Sequence, residues 1–230
     1  MKPKDLKLPF QWGEQFITIQ DKVFFTFEPF DKKGSDFDFP GWGHPEVFGN
    51  DKPVKIEYCS GNGKWIAERA LADPDGNWVA VEKKAARLRK VWAKMKNLGL
   101  PNLFSICGEA LEATKRFLPG ATVDEVYINF PDPWPKKKHA KYRLIQTPFA
   151  CELARILKEG GTVSLVTDDE AYSEQMIDVF SSHPCFESCY EAPFYRGKRE
   201  GYGSSYFEDL WRGKGKPIRY HLFKKVGSGQ

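Results

Sequence analysis

From residue 54 onward the chain alternates apolar runs with amphipathic stretches, and that rhythm restricts its fold more than any other feature. The runs at residues 54–59, 77–82, 104–107, 123–130 and 162–167 have the length of strands. Helical periodicity fills the gaps at 64–72, 83–98, 110–118, 142–158 and 170–182, with Gly99 and Gly160-Gly161 as expected stops. Strands separated by helices need crossover connections, so the pattern predicts an α/β fold with a mostly parallel central sheet. Two later segments, 185–192 and 218–225, read as a closing antiparallel pair of strands. The basic, glycine-rich stretch 196–203 between them reads as a loop.

A length of 230 residues suits one such domain, expected over 51–230, with an appendage. Residues 1–50 carry eleven aromatics (Phe10, Trp12, Phe16, Phe24, Phe25, Phe27, Phe30, Phe37, Phe39, Trp42 and Phe48) without a sustained period. No regular element is expected in this N-terminal arm; its rings either pack onto the core or offer a base-stacking surface. Thirty-five Lys and Arg against thirty-one acids give a net charge of +4. That balance excludes a protein that coats nucleic acid by charge alone, so local patches must carry any such role. No apolar stretch approaches the roughly 20 residues of a membrane helix and no leader pattern opens the chain, so a cytoplasmic protein with no membrane contact is expected. The five cysteines (Cys59, Cys107, Cys151, Cys185 and Cys189) lack a CxxC pair, which points to neither a disulfide framework nor a metal site. Most are expected to be small buried hydrophobes.

Three acids stand at or near the ends of the first three predicted strands. Glu57 precedes a turn, Cys59-Ser60-Gly61-Asn62-Gly63, whose glycines let the backbone bend tightly and a ligand come close. Dinucleotide enzymes, phosphate binders and methyltransferases all use such turns, and a turn without a ligand is equally compatible with the sequence. The single G-x-G and the carboxylate before it suit an ammonium group better than a pyrophosphate. Glu82 ends the second strand, where an acid accepts hydrogen bonds from ribose hydroxyls in nucleotide-binding sheets. Glu109-Ala110 follows the third and is placed to reach an adenine amino group. In an open parallel sheet these ends line one crevice, so the acids converge on an adenosine-bearing ligand. Taken singly, each would read as a solvated charge.

After the fourth strand comes Asn129-Phe130-Pro131-Asp132-Pro133-Trp134-Pro135, a carboxylate braced by prolines that pre-set the backbone around it. Trp134 is a platform on which a planar ring can stack. Lys136, Lys137, Lys138, His139, Lys141 and Arg143 are expected to open a helix, either meeting RNA phosphates or forming a solvated face. A second basic stretch, Lys83 to Lys96, reads as a solvated helix flank. Asp168 ends the fifth strand, facing the crevice or capping a helix. Ser205 and Glu208 either pair with a substrate or close a local turn. His44, His183 and His221 are isolated and earn no role.

The block Phe130-Pro131-Asp132-Pro133-Trp134-Pro135-Lys136-Lys137-Lys138-His139, with Gly61-Asn62-Gly63 upstream, resembles the tRNA (guanine-N7-)-methyltransferase family of class I S-adenosylmethionine enzymes. The likeness runs from about Phe48-Gly49-Asn50 to the C-terminus and includes Val166-Thr167-Asp168 and Ser204-Ser205-Tyr206-Phe207-Glu208. It implies a Rossmann-like fold with helices on both faces of the sheet, S-adenosyl-L-methionine as cofactor and tRNA as partner. The implied reaction is methyl transfer to N7 of a variable-loop guanosine, by a monomer or homodimer. The implied cofactor residues are Glu57, Gly61, Gly63, Glu82, Glu109 and Ala110, and the implied catalytic carboxylate is Asp132. Lys136, Asp168, Ser205 and Glu208 join Asp132 on the substrate side. This chain has Cys59 where the family usually has glycine, Glu109 where it has aspartate and Ser205 where it has threonine. If position 59 needs positive φ, its side chain costs about 1 to 3 kcal/mol. Other readings are an amino-group methyltransferase acting on adenine or cytosine, an RNA-binding relic with a spoiled cofactor turn, and a dehydrogenase.

Overall fold

The computed structural model describes residues 1–10, 16–27, 37–203 and 205–227. Its strands and helices are β1 (Thr18–Gln20), β2 (Val23–Phe25), β3 (Val54–Tyr58), α1 (Lys64–Ala72), β4 (Asn77–Glu82), α2 (Ala85–Leu98), β5 (Leu103–Cys107), α3 (Ala110–Phe117), β6 (Val123–Asn129), α4 (Thr147–Ile156), β7 (Leu157–Thr167), α5 (Glu170–Ser181), β8 (Phe186–Ser188), α6 (Tyr206–Gly213) and β9 (Arg219–Lys225). They fall into two compact units, Met1–Pro119 and Gly120–Gln230.

In the first unit the strand order is β1-β2-β5-β4-β3. Every neighbouring pair from β2 to β3 is parallel; only β1 runs antiparallel to its neighbour. Nearly every residue of β3, β4 and β5 is buried, as strands covered on both faces require. Helix α2 buries Leu88, Val91, Trp92, Ala93 and Met95 and ends as expected at Gly99, whose φ of 59° lets its N–H reach back to the Lys96 and Met95 carbonyls.

The N-terminal arm departs from expectation, because β1 and β2 form a hairpin and β2 adds to the edge of β5 with Val23 opposite Ser105 and Phe25 opposite Cys107. The two-residue turn is Asp21-Lys22, with φ of 53° and 60°. Glycine or asparagine normally supplies such a turn, so the sequence carries no hairpin signal here. Of the two readings of the rings, packing is what the described ones show. Phe24 stacks on Phe37 and meets Phe117 edge-on, while Phe39 and Phe48 lie against Phe104. Leu6, Val23 and Phe25 pack with Leu88, Trp92 and Ala93 of α2. Trp12 and Phe30 lie outside the described residues.

In the second unit the order is β6-β7-β9-β8. Strands β6 and β7 are parallel, and β9 pairs antiparallel with both β7 and β8, which matches the expected closing pair. Two expectations fail. The helix forecast from 142 starts only at Thr147, with Pro148 in its first turn, and a short 3-10 helix, Lys137–Tyr142, stands in its place. Gly160-Gly161 is no helix stop but part of β7, beside the irregularity at which β6 shifts register between Val123 and Glu125. A Cβ on Gly161 would come within 2.9 Å of the Lys158 carbonyl and 3.0 Å of that of Asp124, so only glycine fits. The cysteines also differ from expectation: Cys107 is buried, whereas Cys59, Cys151 and Cys189 are exposed. No helix among the described residues is long and apolar enough to cross a membrane.

Candidate active site

Because β3, β4 and β5 run parallel in register, Glu57, Glu82 and Glu109 arrive at the same rim of the first unit. Glu57 is 2% exposed and Glu82 5%, whereas Glu109 is exposed. Glu82 accepts from the Gly61 N–H through one oxygen at 3.0 Å and from the Lys84 N–H through the other at 2.8 Å. It thereby fastens the glycine turn to the start of α2, while each oxygen keeps a lone pair for another donor.

The turn is left-handed at three alternate positions, Cys59, Gly61 and Gly63, with φ of 62°, 56° and 69°. Position 59 therefore does require positive φ, and the strain anticipated for Cys59 is present. At Gly63 a Cβ would fall 2.8 Å from Val91 Cγ2, so this glycine is needed both for its φ and for the approach of α2. Lys94 of α2 donates to the Asn62 carbonyl at 2.9 Å and burial lowers its pKa. Lys94 thus departs from the solvated flank expected of residues 83–96, since helical period alone does not reveal contact with a distant turn.

Glu109 caps α3 by accepting from the Glu112 N–H at 3.2 Å, and Ala110 is the first residue of that helix. Beside them lies a cavity of about 370 Å³ lined by Thr26, Phe27, Lys83, Lys84, Glu109 and Arg116, among others. Thr26 and Phe27 follow directly from β2, and Thr26 donates to the Cys107 carbonyl through both its N–H and its hydroxyl. These two residues were not foreseen, because the strand that delivers them was not.

At the corresponding rim of the second unit, Asp132 is exposed just beyond β6. Phe130 and Trp134, each preceding a proline, have φ of 48° and 44°. Bulky residues seldom adopt these values, and such strain persists only where the surroundings enforce it. The enforcing contacts are visible. Phe130 N–H donates to the Val166 carbonyl at 2.8 Å, and Arg143 Nε to the Pro133 carbonyl at 2.7 Å. Arg143 also donates to Gln175 Oε1 at 2.8 Å and lies 4.0 Å from Asp169. Buried at 9% exposure, it is a clamp on the proline turn and leaves the basic run in which it had been counted. Lys136, Lys137, Lys138 and Lys141 remain exposed. Trp134 packs its ring against His139 and Tyr142 of the 3-10 helix.

Asp168 pairs with Lys216 at 2.7 Å, and the cap of α5 is its neighbour Asp169, which accepts from the Tyr172 N–H at 2.8 Å. Ser205 caps α6, accepting from the Glu208 N–H at 3.1 Å. Glu208 accepts through Oε1 from Arg212 and from the Tyr220 hydroxyl. Phe207 lies 6.1 Å from the Phe130 ring, and Tyr202 donates to Asn129 at 2.9 Å, so the start of α6 and the loop before it border the proline turn. Ser204 lies outside the described residues.

The family described as "Putative methyltransferase" matches residues 51–220. A relative from Chlamydia felis (strain Fe/C-56) with the name tRNA (guanine-N(7)-)-methyltransferase is 43% identical over 228 residues, covering 99% of both chains. One of the same name from Streptomyces avermitilis is 35% identical over 195 residues, covering 85% of this chain and 67% of that one. Among solved structures, the 16S rRNA methyltransferase KamB superposes with a TM-score of 0.58 at 14% identity, covering 78% of this chain and 90% of that chain. TrmN from Thermus thermophilus gives 0.55 at 18% identity, covering 76% of this chain and 45% of that one. At such identities the likeness concerns the fold alone.

Proposed function

Since the chain belongs to the tRNA (guanine-N(7)-)-methyltransferase family, we infer that it transfers a methyl group from S-adenosyl-L-methionine to N7 of a guanosine in tRNA, in the variable loop. Likeness along almost the whole chain to enzymes of that name is the observation that carries this reading. Neither amino-group methylation nor an RNA-binding relic gains support from those names.

The first unit's rim fits the cofactor. Gly63, where a side chain would strike Val91, and the Glu82-fastened turn make a close-fitting cradle of backbone. Buried Glu57 suits the ammonium of the methionine moiety, Glu82 retains acceptor capacity for ribose hydroxyls, and Glu109-Ala110 stands beside a cavity of a size to admit an adenine ring. When bound, the cofactor supplies an electrophilic methyl group.

Guanine N7 carries no proton, so the protein needs no general base; orientation and electrostatics suffice. Asp132, held on a strained and clamped turn, orients the base and stabilises the positive charge that the purine gains on methylation. Lys136 and its neighbouring lysines meet phosphates, Asp168 with Lys216 borders the substrate, and Ser205 fixes the start of α6 so that Glu208 reaches the base. A tRNA substrate also implies work in the cytoplasm. Incubating the protein with unmodified tRNA and labelled cofactor, then mapping the labelled nucleoside by mass spectrometry, tests the reading. Label on 7-methylguanosine is expected; label on an exocyclic amine, or none, would overturn it.

A further inference from the structure

Glu208 is 8% exposed, and its Oε2 is buried without a hydrogen-bond partner among the described residues. Its other oxygen is saturated by Arg212 Nε at 3.0 Å and by the Tyr220 hydroxyl. Arg212 Nη2 donates in turn to the Tyr220 oxygen at 3.1 Å and to the Gly197 carbonyl at 3.2 Å, which fixes the guanidinium plane. With two donors on Oε1, the carboxylate is held against rotation. Burial, reinforced by the Glu208 hydrogen bond, raises the Tyr220 pKa, so the phenol stays protonated and remains a donor.

A buried carboxylate oxygen left unmet is costly unless a ligand supplies donors. We propose that Tyr220 and Arg212 are positioning residues that aim Glu208 Oε2 at the N1–H and N2–H donors of the target guanine. The inference rests on the guanine-N7 reading above and adds the means by which guanine is recognised. Those donors lie on the base edge opposite N7, so engaging them leaves N7 open to methylation. Adenine presents a lone pair at N1, which the carboxylate repels. The neighbourhood is suitable: the Tyr220 ring is 5.2 Å from that of Tyr202, whose hydroxyl holds Asn129 at the root of the Asp132 turn.

The test compares Tyr220→Phe, Arg212→Ala and Arg212→Lys with the wild type, using tRNA transcripts carrying guanosine or inosine at the target position. Inosine keeps N7 and N1–H but lacks the N2 amine. Wild type is expected to favour guanosine by about tenfold in kcat/KM, because a site built to pair with a donor leaves its acceptor unmet by the analogue. In Tyr220→Phe and Arg212→Ala the KM for tRNA should rise about tenfold and the guanosine preference shrink toward unity, with cofactor affinity by calorimetry unchanged. Arg212→Lys should recover part of the preference. Wild-type KM and preference in both variants, or a fall in kcat and melting temperature with the preference intact, would overturn the proposal. If Tyr220→Phe proves unstable, Arg212→Ala decides, since that side chain is 44% exposed. The parent reading fails separately, by absence of 7-methylguanosine in the wild-type reaction.

Discussion

Single residues account for most of what is chemically particular here. If Asp132 works through charge, Asp132→Asn should lower kcat by about a hundredfold, in the range seen when one preorganised electrostatic partner is removed. Cofactor affinity should be unchanged by calorimetry, because the residues proposed to hold the cofactor belong to the other compact unit; near wild-type turnover would show that Asp132 is not the key carboxylate. Cys59 makes a different prediction. Glycine would relieve a left-handed backbone cost of about 1 to 2 kcal/mol but would lose about 0.5 to 1 of it to the greater freedom of its unfolded chain. Cys59→Gly should therefore raise the urea midpoint at unchanged m-value, with a gain of up to about 1.5 kcal/mol. Acids at strand ends were legible because strand termini in a parallel sheet share a rim. Lys94 and Thr26 were not, since their contacts join segments that no local period relates.

Among elements, most of the parallel strands and the helices between them were read to within a residue or two, because buried β-branched and aromatic runs admit few alternatives; the exceptions are the starts of α4, at Thr147 rather than 142, and of β7, at Leu157 rather than 162. The β1–β2 hairpin and the 3-10 helix escaped. Each is short, and each depends on backbone angles that Asp21, Lys22 and the proline turn adopt against their usual preference. Capping separates two adjacent acids that sequence reading could not tell apart. Asp169→Ala removes the cap of α5 and should cost about 1 kcal/mol in chemical denaturation while sparing the KM for tRNA. Asp168→Ala breaks only an ion pair with a half-exposed lysine and should leave stability nearly unchanged while raising that KM. The opposite pattern would exchange their roles.

The whole molecule should register acid through His221. This ring is fully buried, bonded to Ser173 and to the Phe194 carbonyl; burial brings its pKa down to about 4, with the nearby Arg219 charge acting in the same direction. Below the ordinary imidazole value near 6.5, the unfolded chain takes up a proton that the native state refuses. Stability should thus be intact above pH 6.5 and decline as pH falls toward 4, by up to about 1.4 kcal/mol per unit. His221→Gln should flatten that slope in thermal melts taken across the window; an unaltered slope would assign it to other groups. A last consequence follows from the seat of β2 along β5. Those few residues occupy amides and carbonyls that would otherwise lie bare, as between Ser105 N–H and the Lys22 carbonyl at 3.0 Å. Shortening the protein to begin after Phe27, as a map of its catalytic motifs would invite, should yield a sticky particle that recruits foreign strands and sediments as polydisperse aggregates.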